Sequence, residues 1–328
     1  MVTFCFQKVT SKNEKMNFFT KINIQVSSFQ ITHKDKLLLM GSCFTENIGN
    51  QLKQYQFPGN INPFGIIYHP VSIFGNLKKV MDKNVYTENE LLQHNELYLS
   101  LDHHGQFSGT DKNEVLTNIN TTIEKAHTDF NAAKFIIITL GTAFVYKHLA
   151  QDRVVANCHK IPNTAFEKHL LSIDEIKAAF NAVKTQLKDK TILFTVSPVR
   201  HWRDGAVENQ RSKSILIESI HQLIAENSNC FYFPAYELMM DELRDYRFYA
   251  EDMLHPNAVA VKYIWQRFAE TYFSEQTQQI NAQLEKIHLL LQHRIKNADT
   301  QAQAAFEQKV QTTIAAFKSK HPDIELGF

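Results

Sequence analysis

Four short, continuously apolar runs constrain the fold of this chain more than any other feature: KLLLMG (36–41), FIIITLG (135–141), TILFTVSP (191–198) and CFYFPAY (230–236). A strand with one wet face alternates apolar and polar residues, so runs that are apolar throughout read as strands covered on both faces. Amphipathic helices lie between them. SIDEIKAAFNAVKTQLKDK opens on Ser172 with Glu175 three residues later, a pair that satisfies the free amides of a helix start. ENQRSKSILIESIHQLIAEN (208–227) reads as a second such helix. Strand and helix in alternation predict an α/β fold, a parallel sheet with helices on both faces. Ligands of such sheets bind beyond the carboxyl ends of the strands, where Ser42, Gly141, Ser197 and Tyr236 fall.

The stretch from 42 to 135 is longer than one crossover helix requires. It is expected to hold extra helices and lid-like irregular segments such as NINPFGIIYHP (60–70) and SLDHHGQFSG (100–109). From Val259 to Lys320 the chain is nearly free of Gly and Pro and is interrupted at KNADTQ (296–301). This predicts an extended helix after His255 and then a second helix, a terminal hairpin that serves either as a homodimer arm or as a cap on the core. The expected division is an N-terminal extension over 1–30, one domain over 31–272 and the hairpin over 273–328.

Length and composition set the remaining bounds. With 328 residues and 44% apolar content the chain can bury a substantial core. Its 35 basic and 34 acidic residues leave a formal charge of +1, and no basic block offers itself to a phosphate backbone, so nucleic acid is not an expected partner. Cys5, Cys43, Cys158 and Cys230 are far apart and lack zinc-site or redox-pair spacing, so free thiols in a reducing compartment are expected. The first residues lack the apolar core of a signal peptide, and no apolar run reaches the roughly 20 residues of a membrane span. A soluble cytoplasmic protein follows as the expectation, with Met16 as an alternative start.

Acyl transfer needs a nucleophile, a base, a group that orients the base, and donors for the oxyanion. Ser42 sits at a strand-to-helix turn whose free amides face an incoming oxyanion; a serine there also serves as an ordinary helix cap. Cys43 beside it is a second nucleophile candidate. In YAEDMLHPN, Asp252 and His255 are three apart, close enough for the carboxylate to fix the imidazole tautomer.

The motifs GSCFTENIG, NPFGIIYHP, LGTAFVY, SPVRHWRDG with ENQRSK, and FPAYELMMDELRDYRFYAEDMLHPN together resemble the GSCFA domain family over residues 36 to 272. That family is assigned to the SGNH, or GDSL-type, hydrolase superfamily, which implies a three-layer α/β/α, flavodoxin-like sheet and a serine-dependent esterase or acyltransferase. The resemblance carries the nucleophile onto Ser42 and the acid and base onto Asp252 and His255. Side chains that alternate past the end of a strand let only one of the pair face the cleft; the resemblance picks Ser42 and so makes Cys43 its buried apolar neighbour. It implies an acyl-ester substrate, with a carbohydrate-like carrier as one reading, and no metal or organic cofactor.

The superfamily's oxyanion hole also uses a glycine, for which Gly65 stands here, and an asparagine, where this chain has Ala143. Asn62 and Thr142 are the candidate substitutes; without one, the chain reads as a weak enzyme or as a hydrolase-like ligand-binding protein. Arg200 and His201 follow a strand end and are expected to bind substrate. His103 and His104 lack the spacing of a metal set and read as pocket polarity. Asn157–Lys160, with Cys158 and His159, reads either as an anion site or as an internally satisfied loop.

Overall fold

The computed structural model describes residues 19–292 and 300–327. Cys5, Met16 and most of the KNADTQ break lie outside them. In chain order the elements are β1 (Leu37–Gly41), α1 (Cys43–Gln54), β2 (Gly59–Ile61), α2 (Pro70–Met81), β3 (Leu92–His94), β4 (Leu97–Leu99), α3 (Lys112–Ala132), β5 (Phe135–Leu140), β6 (Phe144–His148), β7 (Arg153–Val155), β8 (Phe166–Leu170), α4 (Ile173–Asn181), β9 (Thr191–Val196), α5 (Ala206–Glu226), β10 (Cys230–Phe233), α6 (Ala235–Glu237), α7 (Ala258–Tyr272), α8 (Glu275–Gln292) and α9 (Thr300–Lys320).

Five strands pair in parallel in the order β10-β9-β5-β1-β2. Numbered along the chain, these five strands read 2-1-3-4-5 across the sheet, the doubly wound order of flavodoxin-like folds. The winding reverses between β1 and β5, so a crevice opens at their carboxyl ends.

The continuous apolar runs follow from burial on both sides. Leu38, Met40, Ile136, Ile138, Ile192 and Phe194 face a core completed by α2, α3, α4 and α5. Leu37, Leu39, Phe135, Ile137, Leu193 and Phe233 face the opposite core, filled by α1, α7, α8 and α9. Alternate residues of each strand thus feed different layers, and the architecture is α/β/α.

The structure adds elements that no apolar run announces. β2 is a three-residue, partly exposed edge strand. In the chain segment that links β5 to β9, β6, β7 and β8 form a separate antiparallel sheet, and β3 pairs with β4 in the long insert. α4 starts at the Ser172–Glu175 capping box but stops at Asn181, and a 3-10 turn at Lys184–Leu187 replaces the rest of the expected helix. The helix after His255 breaks at Phe273, whose backbone is extended and bridges to Ile31. Ser274 restarts it as α8, its hydroxyl accepting the Thr277 N–H at 3.0 Å.

Residues 20 to 31 form a strap across α7. The Ile22 N–H donates to Glu242 (2.6 Å), and Arg267 donates to the Ile22 carbonyl (2.7 Å) and to both Glu242 oxygens (2.6 and 2.7 Å). Glu242 ends a π-helical turn, Leu238–Glu242, that continues α6. Among the described residues no helix is long and apolar enough to cross a membrane.

Candidate active site

The carboxyl end of β1 is a tight passage. Gly41 has φ 145°, and a Cβ there would lie 2.2 Å from the Thr139 carbonyl oxygen, so only glycine fits. Its N–H donates to Asn62 Oδ1 (2.9 Å) and its carbonyl accepts from Ile67 (3.0 Å). Ser42 follows at the N-cap of α1, its amide bonded to the Thr139 carbonyl (3.1 Å) and its carbonyl accepting from Thr45 (2.9 Å). Its hydroxyl caps nothing. Ser42 is fully buried, and Oγ has no hydrogen-bond partner among the described residues. A serine that acts as a helix cap gives its oxygen to a first-turn amide, and this one does not.

Cys43 differs from expectation: it is partly exposed, whereas Ser42 is the buried member of the pair. The helix begins at Cys43, so its side chain leaves the backbone on a helical path rather than in strand alternation. Burial still raises the thiol pKa above its ordinary value, opposed by the Phe44 N–H and by the charge of Lys213.

The expected oxyanion donors fare unequally. Asn62, in the left-handed region at φ 47°, gives its oxygen to Gly41 and leaves a buried Nδ2 without a partner, bonded through its other end to the residue before Ser42. Gly65, at φ 76°, spends its N–H on the Asn62 carbonyl (2.7 Å), and a Cβ there would meet the His104 Cβ at 2.3 Å. It shapes the turn that holds Asn62 and offers its amide to nothing else. Thr142 is likewise engaged: its hydroxyl meets Ser212 Oγ (3.1 Å) and accepts the Phe144 N–H (3.0 Å).

On the loop before α7, Asp252 Oδ1 accepts the N–H groups of Leu254 and His255, each at 2.9 Å, and Oδ2 lies 2.5 Å from His255 Nδ1. The His255 and Leu254 amides, with the ring, hold the Asp252 carboxyl down at about 2. The carboxylate therefore stays charged and turns Nε2 away from itself. Met253 makes the turn at φ 58°, and Arg200 donates to its carbonyl at 2.6 Å. The Arg200 guanidinium packs 5.0 Å from Trp202, 5.8 Å from Tyr246 and 5.0 Å from Tyr249. Arg200, expected to bind substrate, here holds the Asp252–His255 turn. The His255 side chain is 51% exposed, and no hydrogen bond joins it to the buried Ser42.

His201 and Lys213 lie at the same sheet edge, both beside Gly141. The His201 amide donates to Asn209 Oδ1 (2.9 Å), and its ring meets Tyr68 edge-on at 5.3 Å. A Cβ on Gly141 would sit 3.2 Å from His201 Nε2, which places the imidazole over the end of β5. Burial lowers the His201 pKa to about 4, helped by the charge of Lys213 and opposed by that of Asp204, so it is neutral at physiological pH. Lys213 is fully buried and donates to the carbonyls of Gly141 (2.7 Å) and Ser197 (2.8 Å). No arrangement of reactive groups in the sequence flags it. Its signal is a lysine at a core position of α5, among buried Asn209, Ser212, Leu216 and Ile220.

One comparison bears on these positions: the GSCFA family model matches residues 36–268. The chain belongs to the GSCFA family. No curated protein and no solved structure matches it. The GSCFA span runs from the residue before β1 into α7 and so contains Ser42, Asn62, Arg200, Lys213, Asp252 and His255.

Within the same GSCFA span the remaining polar clusters are mostly bonded internally, while His103 Nε2 is buried without a partner among the described residues. His103 is buried, stacked on Phe64 at 4.5 Å, with Nδ1 on Ser100 Oγ (2.9 Å). His104 caps a 3-10 turn. His159 Nε2 bonds the Ser100 carbonyl (2.8 Å), and Cys158 packs against the small cluster beside β7 and β8. Among the described residues no group of three His, Cys, Asp or Glu side chains is placed to hold a metal ion. An open cavity of about 790 Å³, lined by Lys36, Gly59 and Asp323, lies at the opposite, amino end of the sheet.

Proposed function

We propose that this GSCFA protein is a serine-dependent ester hydrolase or acyltransferase of the SGNH type. Ser42 Oγ attacks the acyl carbon, His255 takes its proton and returns it to the leaving alcohol, and Asp252 holds the imidazole and stabilises its charge. Water or a second alcohol then releases the acyl group. The observation that carries this reading is the 2.5 Å Asp252–His255 pair on the same sheet edge as a buried serine hydroxyl without a hydrogen-bond partner among the described residues. Hydrogen bonds of catalysis are often open before substrate binds, and here the turn that carries His255 must close on β1. The substrate class proposed is a small acyl ester on a polar carrier such as a carbohydrate.

A fluorophosphonate probe tests the reading. Labelling is expected at Ser42 and is expected to be lost in Ser42→Ala and His255→Ala. Labelling that survives both substitutions removes the mechanism, and no labelling of the intact protein favours ligand binding without turnover.

One observation favours a second nucleophile: Cys43 is the more exposed of the pair, although burial raises its thiol pKa. On this reading iodoacetamide modifies Cys43 and abolishes esterase activity, while Ser42→Ala retains it.

A further inference from the structure

Lys213 is a cation placed where cations rarely go. It is 0% exposed, and no carboxylate pairs with it among the described residues. Lysine is seldom fully buried unpaired, because removing an ammonium from water costs several kcal/mol. What it touches is the carboxyl edge of the sheet: the carbonyl of Gly141, just past β5, and that of Ser197, just past β9. β5 is paired with β1, where Gly41 lies opposite Thr139, so Gly141 ends level with the Ser42 turn. Carbonyl oxygens crowd the carboxyl end of a parallel sheet and give it negative potential, which opposes a developing oxyanion. Lys213 occupies two of them and adds a positive charge.

We propose that Lys213 is the fixed positive pole of this site, a positioning residue that silences the Gly141 and Ser197 carbonyls and so lets the edge beside Ser42 hold an oxyanion although Ala143 supplies no side-chain donor. The inference rests on the acyl-transfer reading given above. Lys213 touches no substrate surface; it acts through the two carbonyls and through its field. The titratable and charged groups facing it are Cys43 from α1, His201 from the loop before α5, and Tyr236 and Glu237 from α6. Burial lowers its own pKa to about 7, so the charge is present below neutrality and fades above it.

The test is the rate of fluorophosphonate labelling of Ser42 against pH in the wild type, Lys213→Met and Lys213→Gln. The wild-type rate is expected to fall above about pH 7 as Lys213 loses its proton. Both variants are expected to lose that limb and to label on the order of 100-fold more slowly at about pH 6. Glutamine keeps a donor without charge, so restoration of the rate and of the limb by Lys213→Gln assigns a structural role only and overturns the proposal. Equal rates and an unchanged profile in Lys213→Met also overturn it, while leaving the hydrolase reading intact. If neither variant folds, the wild-type limb decides, and its absence overturns the proposal.

If Ser42 of the wild type does not react at all, the hydrolase reading fails, and acetate serves as the anion probe. Acetate that raises the melting temperature of the wild type but not of Lys213→Met at about pH 6 upholds the positive pole; no difference between the two overturns it.

Discussion

In one amide, the oxygen of Asn62 accepts the N–H of Gly41, the residue before Ser42, and the nitrogen is a buried donor without a partner among the described residues. The two separate by substitution. Asn62→Asp keeps an oxygen for Gly41 and removes the donor, so fluorophosphonate labelling is expected to slow by about 10²- to 10³-fold. Asn62→Ala also strands the Gly41 amide and is expected to lose about 1–3 kcal/mol, read by urea denaturation. Lys213 makes a pH prediction of its own. The unfolded chain keeps this proton up to the ordinary value of 10.5 and the folded chain only to about 7. Between those values unfolding takes up a proton, so stability rises with pH across the window and is constant below it. Relative to Lys213→Met, the wild type is therefore expected to gain stability from about pH 7 to about pH 10 in matched denaturant titrations.

At the scale of elements, the Asp252–His255 turn depends on a residue 53 positions earlier. Arg200 after β9 bonds the Met253 carbonyl across that distance, inside a cage of Trp202, Tyr246 and Tyr249. Arg200→Ala is expected to speed hydrogen exchange at the Leu254 and His255 amides and to slow labelling of Ser42 roughly tenfold. If exchange there is unchanged, Arg200 does not hold the turn. The four apolar runs made the central strands legible because both faces of the sheet are covered and every position must be apolar. β2 and β6–β8 escaped because strands of three to five residues with mixed burial carry no period. Asp252 and His255 were legible as a pair because their spacing alone brings them together. The roles of Arg200 and Lys213 were not, since each rests on backbone carbonyls far along the chain. Cys43 was misplaced because strand alternation was carried one residue into a helix.

Across the whole molecule the strap is fastened by charge in a dry setting. Glu242 and Arg267 are both buried, and between them they hold the N–H and the carbonyl of Ile22. Arg267→Ala leaves an uncompensated buried carboxylate and is expected to cost about 3–5 kcal/mol in denaturant titrations, with residues 20 to 31 becoming open to protease. The core on that side is built from more than the segment the family shares. Ile31, Phe273, Leu284 and Phe317 pack in one cluster with Leu37, Phe135 and Trp265, and all four lie outside residues 36–268. Cutting the chain to that span would remove α8, α9 and the strap from behind α1 and α7 and wet their apolar faces, so the trimmed protein is expected to precipitate rather than report on the chemistry. What marks the chain as kin is thus smaller than what packs as one core.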